Sequence, residues 1–174
     1  MHDNIRQHLQ TTKYAMPDQW SVAGSLIKTL AGSVAHHDVL VLGESMATIV
    51  PDFLKGLNIT SQLIHAMEDS TLHQLLKITY KSDIRLTAHC QPYSEFLTDI
   101  KHHRFDMIVA STEQKFLPQI LTLLMDNALL CYFSTTPIQH AVTDTETWNS
   151  ALLLDNHLAL INRAKIKPKR RRKQ

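Results

Sequence analysis

The sequence predicts an open α/β fold. It has a doubly wound, mostly parallel sheet of about seven strands with helices on both faces, ended by an antiparallel hairpin. Three observations carry this. Residues 39–42 (VLVL) are a short, unbroken apolar run and Phe105–Ala110 (FDMIVA) is apolar but for Asp106, the composition of strands covered on both faces. Segments of helical spacing alternate with such runs through the body of the chain. Near the end, apolar residues 151–154 and 158–161 flank Asp155-Asn156-His157, a short-turn hairpin signal in which Asn can take positive φ.

The elements follow in order. Residues 1–19 are polar and read as a loosely attached lead-in. In residues 20–30, Trp20, Ala23, Leu26, Ile27 and Leu30 fall at helical spacing. The strand at 39–42 ends at Gly43, one of four glycines in the chain, as suits a tight strand-to-helix turn with close backbone approach. Residues 45–57 have helical spacing through Met46, Ile49, Val50, Phe53, Leu54 and Leu57. Pro51 allows two readings: a kinked helix, or a helix that starts near Val50 with Pro51 in its first turn.

Gln62–Met67 reads as the second strand. A helix then begins at Asp69-Ser70, with Leu72, Leu75 and Leu76 inward. Residues 83–88 (DIRLTA) alternate as a third strand. A short helix at 92–100 opens on Pro92. After the strand Phe105–Ala110, residues 112–125 read as a helix with Phe116, Ile120, Leu121 and Leu124 inward and an early kink at Pro118. Residues 128–133 (ALLCYF) are the fifth strand.

At 174 residues the chain is expected to form one domain, at 20–164. No apolar run approaches a bilayer span and the polar N-terminus does not read as a signal peptide, so a cytoplasmic protein is expected. Cys90 and Cys131 each lie in or beside an apolar run and read as buried, reduced thiols. The net charge of +2 hides an asymmetry: seven of the 18 basic residues lie in residues 165–174, KIKPKRRRKQ. The rest holds 11 basic residues against 16 acidic ones, a net charge of −5. This tail is expected to be disordered. From Lys165 to Lys173 it could contact a polyanion electrostatically, without base readout, since no aromatics are interleaved with its charges.

In parallel α/β sheets ligands bind beyond the carboxyl ends of the strands, near the point where strand order reverses. That rule points at residues 43–47, 67–70, 89–92 and 111–113, with Gly43, Glu44, Ser45, Glu68, Asp69, His89, Cys90 and Ser111 as the candidate contacts. Gly43 has two readings, a cofactor turn or a purely steric one. Glu68 and Asp69 likewise read either as ligand contacts or as caps of the following helix. His65, inside an apolar strand, reads as a satisfied core residue. His36-His37 and His102-His103 have no zinc spacing and read as solvated loop residues. The chain shows no P-loop and no Ser/His/Asp arrangement.

The order of elements, FDMIVAS (residues 105–111) and LLLDNHLALI (residues 152–161) together resemble the class I S-adenosylmethionine-dependent methyltransferases, closest to the small-molecule O-methyltransferases. The resemblance runs from about residue 20 to 163. It implies a Rossmann-like domain, S-adenosylmethionine as cofactor and a small-molecule acceptor, with a homodimer left open. The cofactor motif is degenerate. The family's acid-x-Gly-x-Gly-x-Gly turn retains Gly43 alone, with Val41 for the acid and Ser45 and Ala47 for the other glycines. The ribose-binding acid aligns nearest Met67, with Glu68 and Asp69 just beyond. The Gly-Asp near the adenine aligns with His89-Cys90. The metal-binding Asp aligns with Ser111, so no metal is expected. The alternative is the same fold as a catalytically inactive binding module acting through partners or polyanions.

Overall fold

The computed structural model describes residues 2–12, 26, 29–30, 38–138, 142 and 147–163. Helix α1 (His2–Thr11) comes first, then strand β1 (Asp38–Leu42). A 3-10 segment (Glu44–Ile49) runs into α2 (Val50–Gly56). Next come β2 (Gln62–Met67), α3 (Ser70–Thr79), β3 (Leu86–Cys90) and α4 (Tyr93–Asp99). Strand β4 (Phe105–Ala110) leads through a 3-10 turn (Gln114–Phe116) to α5 (Leu117–Thr122). The chain then makes β5 (Leu124–Phe133), β6 (Trp148–Leu153) and β7 (Leu158–Arg163).

The seven strands form one sheet in the order β3-β2-β1-β4-β5-β7-β6. The first five in that row are parallel, and β7 joins β5 and β6 antiparallel. The predicted architecture is thus the observed one, with β1 near the centre. Its four apolar residues, Val39 to Leu42, are fully buried. Side chains alternate across a strand, so both faces of β1 need apolar partners. Leu40 and Leu42 pack with Tyr93, Phe96 and Leu97 of α4 and with Leu117 and Ile120 of α5. Val39 and Val41 pack with Met46, Ile49 and Phe53 of the 3-10 segment and α2.

Several boundaries depart from expectation. The second reading of Pro51 is the one found: α2 starts at Val50 with Pro51 in its first turn, where a missing N–H costs nothing. The third strand starts at Leu86, not residue 83. Asp83 and Arg85 are held in the preceding turn by a two-pronged ion pair, with Nε to Oδ1 at 2.9 Å and Nη2 to Oδ2 at 2.7 Å. The helix expected at 112–125 ends at Thr122, and Leu124 already pairs with Phe105 in the sheet. The register then slips, with Asn127 at φ 69° inside the irregularity, before Met107 pairs with Leu129. The turn between β6 and β7 takes positive φ at Leu154, Asp155 and Asn156. Cys131 is buried and Cys90 half-buried, both free.

The polar start of the chain is not a loose lead-in over residues 2–12. It is a helix that buries Ile5 and Leu9 against Ala47, Val50 and Leu54 on one side and Met67, Leu72 and Leu76 on the other. His8 Nε2 meets Asp69 Oδ2 at 3.0 Å. Of the helix expected at 20–30, Leu26 and Leu30 pack against the Val39/Val41 side of the sheet, and most of the rest lies outside the described residues. The basic tail lies outside them as well.

Arg85 also donates Nη1 to the carbonyls of Leu54 and Leu57, both at 2.8 Å, at the end of α2. Its guanidinium, hydrogen-bonded to Asp83, holds that carboxyl below the usual carboxylate range. Arg85→Ala is expected to lower stability by about 2 kcal/mol, because carbonyls at a helix end lose their donor. Arg85→Lys recovers less than half, since a single ammonium cannot span both carbonyls and the carboxylate. Urea denaturation of the three proteins measures this.

Candidate functional site at the strand ends

The strand order reverses between β1 and β4. There the chain turns at Gly43 with φ 113° and ψ 144°. A Cβ on Gly43 would lie 2.5 Å from the Ser111 carbonyl oxygen, in a backbone conformation L side chains rarely adopt. Ser111 N donates to the Leu42 carbonyl at 2.8 Å, and Gly43 N to that of Ala66 at 3.2 Å. The turn is thereby fixed to both neighbours of β1.

His65 secures it from below. It is wholly buried on β2 beside Val41, and its Nε2 donates to the Gly43 carbonyl at 3.0 Å. Its Nδ1 is buried without a hydrogen-bond partner, so the expectation of a satisfied core histidine holds for one nitrogen only. Burial lowers its pKa from 6.5 to about 4, against the pull of the Gly43 carbonyl and of Glu44. It is therefore neutral at pH 7.

The sequence-selected residues divide into two groups. Glu44, Glu68 and Cys90 come together. Glu44 is 7% exposed. Its Oε1 accepts from the Glu68 backbone N–H at 2.8 Å, and its Oε2 from the Tyr93 hydroxyl at 2.8 Å. Glu68 Oε1 in turn accepts from the Tyr93 backbone N–H at 2.9 Å. Cys90 Sγ lies 3.7 Å from the Glu68 carbonyl. Burial, then the charges of Asp69, Glu44 and Glu68, push its thiol up, so it stays protonated at neutral pH. Among the described residues, no lysine or arginine forms an ion pair with Glu44 or Glu68.

The others turn elsewhere. Asp69 caps α3 by accepting from Leu72 N at 2.9 Å, and its second oxygen meets His8. Burial opposes its charge, but these bonds outweigh that and hold it below the usual carboxylate range. His89 packs its ring on Phe96, with centroids 5.3 Å apart, and burial lowers its pKa. Ser45 is buried, and Ser111 contributes the backbone contacts above. The Tyr132 hydroxyl donates to the Thr112 carbonyl at 2.6 Å and fixes the loop after β4.

Tyr93 was missed by sequence reasoning. Its signal was Pro92, which marks where α4 opens straight after β3 and so places the next side chain at the strand ends. A separate cavity of about 240 Å³ lies between α1, α2 and Tyr80, with none of the crevice residues in its lining. Among the described residues no group of three or more His, Cys, Asp or Glu could hold a metal ion. No helix of theirs is long and apolar enough to cross a membrane.

This fold is that of the class I S-adenosylmethionine-dependent methyltransferases. A methyltransferase from Geobacter sulfurreducens matches with TM-score 0.72 and 15% identity, over 92% of this chain and 86% of that one. An O-methyltransferase from Streptomyces achromogenes, solved with S-adenosylmethionine, matches with TM-score 0.68 and 11% identity, over 93% and 88%. A candidate S-adenosylmethionine-dependent methyltransferase from Streptococcus mutans matches with TM-score 0.65 and 14% identity, over 85% of this chain. The chain spans about half of that protein, 49%. No family model matches the sequence, and no curated protein matches it by sequence.

Two outcomes are expected. Gly43→Ala costs about 2 kcal/mol or more, from the positive φ and the Ser111 carbonyl together, read as a lower urea midpoint. The second concerns pH. The folded pKa of His65, about 4, lies below its unfolded value of 6.5. Its contribution to stability is therefore complete above pH 6.5 and is lost as pH falls towards 4. The shift corresponds to about 3 kcal/mol at roughly 1.4 kcal/mol per unit. Between pH 7 and pH 4 the wild type loses that much more stability than His65→Gln, which keeps a donor for Gly43 but does not titrate.

Proposed function

We propose that the chain binds S-adenosylmethionine across the carboxyl ends of β1, β2 and β4 and transfers its methyl group to an oxygen of a small-molecule acceptor. The observation that carries this reading is the strand order, which reverses between β1 and β4 where open α/β sheets bind ligands, on a fold shared with an O-methyltransferase solved with this cofactor. The chain's own Ser111 carbonyl fills the space of a Cβ at Gly43, so that glycine is already required by the packing of the turn.

The residues present fit such a cofactor. The backbone of Gly43 to Ser45 would lie beside its amino-acid part, and Glu68, directly after β2, would offer its carboxylate to the ribose hydroxyls. His89 and Cys90 would flank the adenine, and Ser111 would close the β4 side. When bound, S-adenosylmethionine supplies a methyl group on a positively charged sulfur. Glu68 and Asp69 lend negative charge to this end of the sheet, which favours a cationic ligand. Methyl transfer rests mainly on holding donor and acceptor in line, so the protein needs little acid–base chemistry of its own. The half-buried His89 and protonated Cys90 suit walls rather than nucleophiles. Ser111 has a neutral hydroxyl where a Mg²⁺ site would need a carboxylate, so the proposal includes no metal.

Calorimetric titration of the full chain with S-adenosylmethionine at neutral pH tests the reading. Saturable one-to-one binding is expected. No heat at millimolar cofactor would overturn it. Binding without turnover across a panel of phenols and catechols would move the protein to the catalytically inactive alternative, which the structural neighbours give no reason to prefer.

A further inference from the structure

Beyond the carboxyl ends of β1, β2 and β3, where a ligand would bind, the chain places its own buried Glu44 carboxylate. Its two oxygens are engaged by one group from the residue after β2 and one from the start of α4 after β3. These are the backbone N–H of Glu68 and the hydroxyl of Tyr93, groups of the kind a bound ligand would use. Tyr93 is itself 7% exposed, and its backbone N–H holds the Glu68 carboxylate. Three successive strand-end loops are thus drawn together over the crevice by one side chain.

The compensation of that side chain is thin. Taking a carboxylate out of water is costly unless it is paired and fully hydrogen-bonded. Glu44 has two neutral donors and no cation among the described residues. A ligand acceptor that took over the Glu68 N–H and the Tyr93 hydroxyl would release Glu44 towards water.

We propose that Glu44 is an intramolecular occupant of the crevice, a plug held by Tyr93 and Glu68 that the ligand displaces on binding. This deepens the function proposed above and rests on it. It also makes Tyr93 a positioning residue: its hydroxyl acts on the ligand through Glu44. Part of the binding free energy is spent on breaking the two Glu44 bonds, so affinity is set below what the crevice alone would give.

The test uses the full chain as wild type, Tyr93→Phe and Glu44→Ala. Each is titrated calorimetrically with S-adenosylhomocysteine and with S-adenosylmethionine, and unfolded in urea without ligand. Tyr93→Phe removes the hydroxyl alone and is expected to tighten S-adenosylhomocysteine binding about tenfold, the worth of one hydrogen bond to a charged group. Its ligand-free urea midpoint falls at the same time. Glu44→Ala moves both quantities in the same directions. This opposite movement of affinity and ligand-free stability separates a plug from a merely structural network, whose loss would lower both. If the wild type binds and neither variant binds more tightly, the plug is overturned while the function stands. If none of the three binds either probe at millimolar concentration, the function falls and the plug with it. Should Glu44→Ala not fold, Tyr93→Phe decides the question alone.

Discussion

The close approach of Gly43 to Ser111 is the constraint on which the rest depends. It lets β1 end abruptly against β4, so that the 3-10 segment and α2 can fold back onto Val39 and Val41. The same residue is tied at its N–H to Ala66 and at its carbonyl to His65, both on β2. One residue without a side chain therefore joins the three central strands at the end where the crevice opens. Any substitution there would push β1 from β4 and pull the turn off β2 together.

The sheet imposes a second demand, which falls on its polar residues. Several polar side chains near the core bond to backbone carbonyls or N–H groups, and these bonds set the shape of the loops. His65 spends one nitrogen on Gly43 and leaves the other dry, so it stays uncharged. Arg85 ends α2 and pins the turn before β3. Asp69 starts α3 and receives α1. Glu44 and Glu68 likewise hold the strand-end loops, Glu44 through the Glu68 N–H and the Tyr93 hydroxyl and Glu68 through the Tyr93 N–H.

Much of the fold was legible because its central strands are buried on both faces. Phe105–Ala110 and Gln62–Met67 were bounded by the sequence pattern alone, as mostly apolar runs between polar segments. Where the pattern misled, a competing local interaction had won. Residues 83–85 alternate like a strand, but Asp83 and Arg85 bond to each other. Residues 123–125 continue a helical run of leucines, but Leu124 is captured by Phe105 across the sheet. Helix α1 carries only two buried apolar residues, Ile5 and Leu9, too few to stand out in a polar segment. For the site, position beyond the strand ends was readable, but direction was not. Nothing in the letters says that Asp69 turns to α1 while Glu44 turns inward to Tyr93.

The pairing of β1 with β4 has a consequence for synthesis. Val39 lies beside Met107 and Leu42 beside Ala110, so the two most apolar strands meet across a long stretch of chain. At the roughly 5–20 residues per second of ribosomal elongation, β1 waits several seconds for this partner. Until then one edge of a wholly apolar strand is open, a template for pairing with another chain. Its neighbour β2 arrives much sooner and covers the opposite edge. The nascent chain is therefore most exposed to self-association, and most in need of a chaperone, between the emergence of β2 and that of β4.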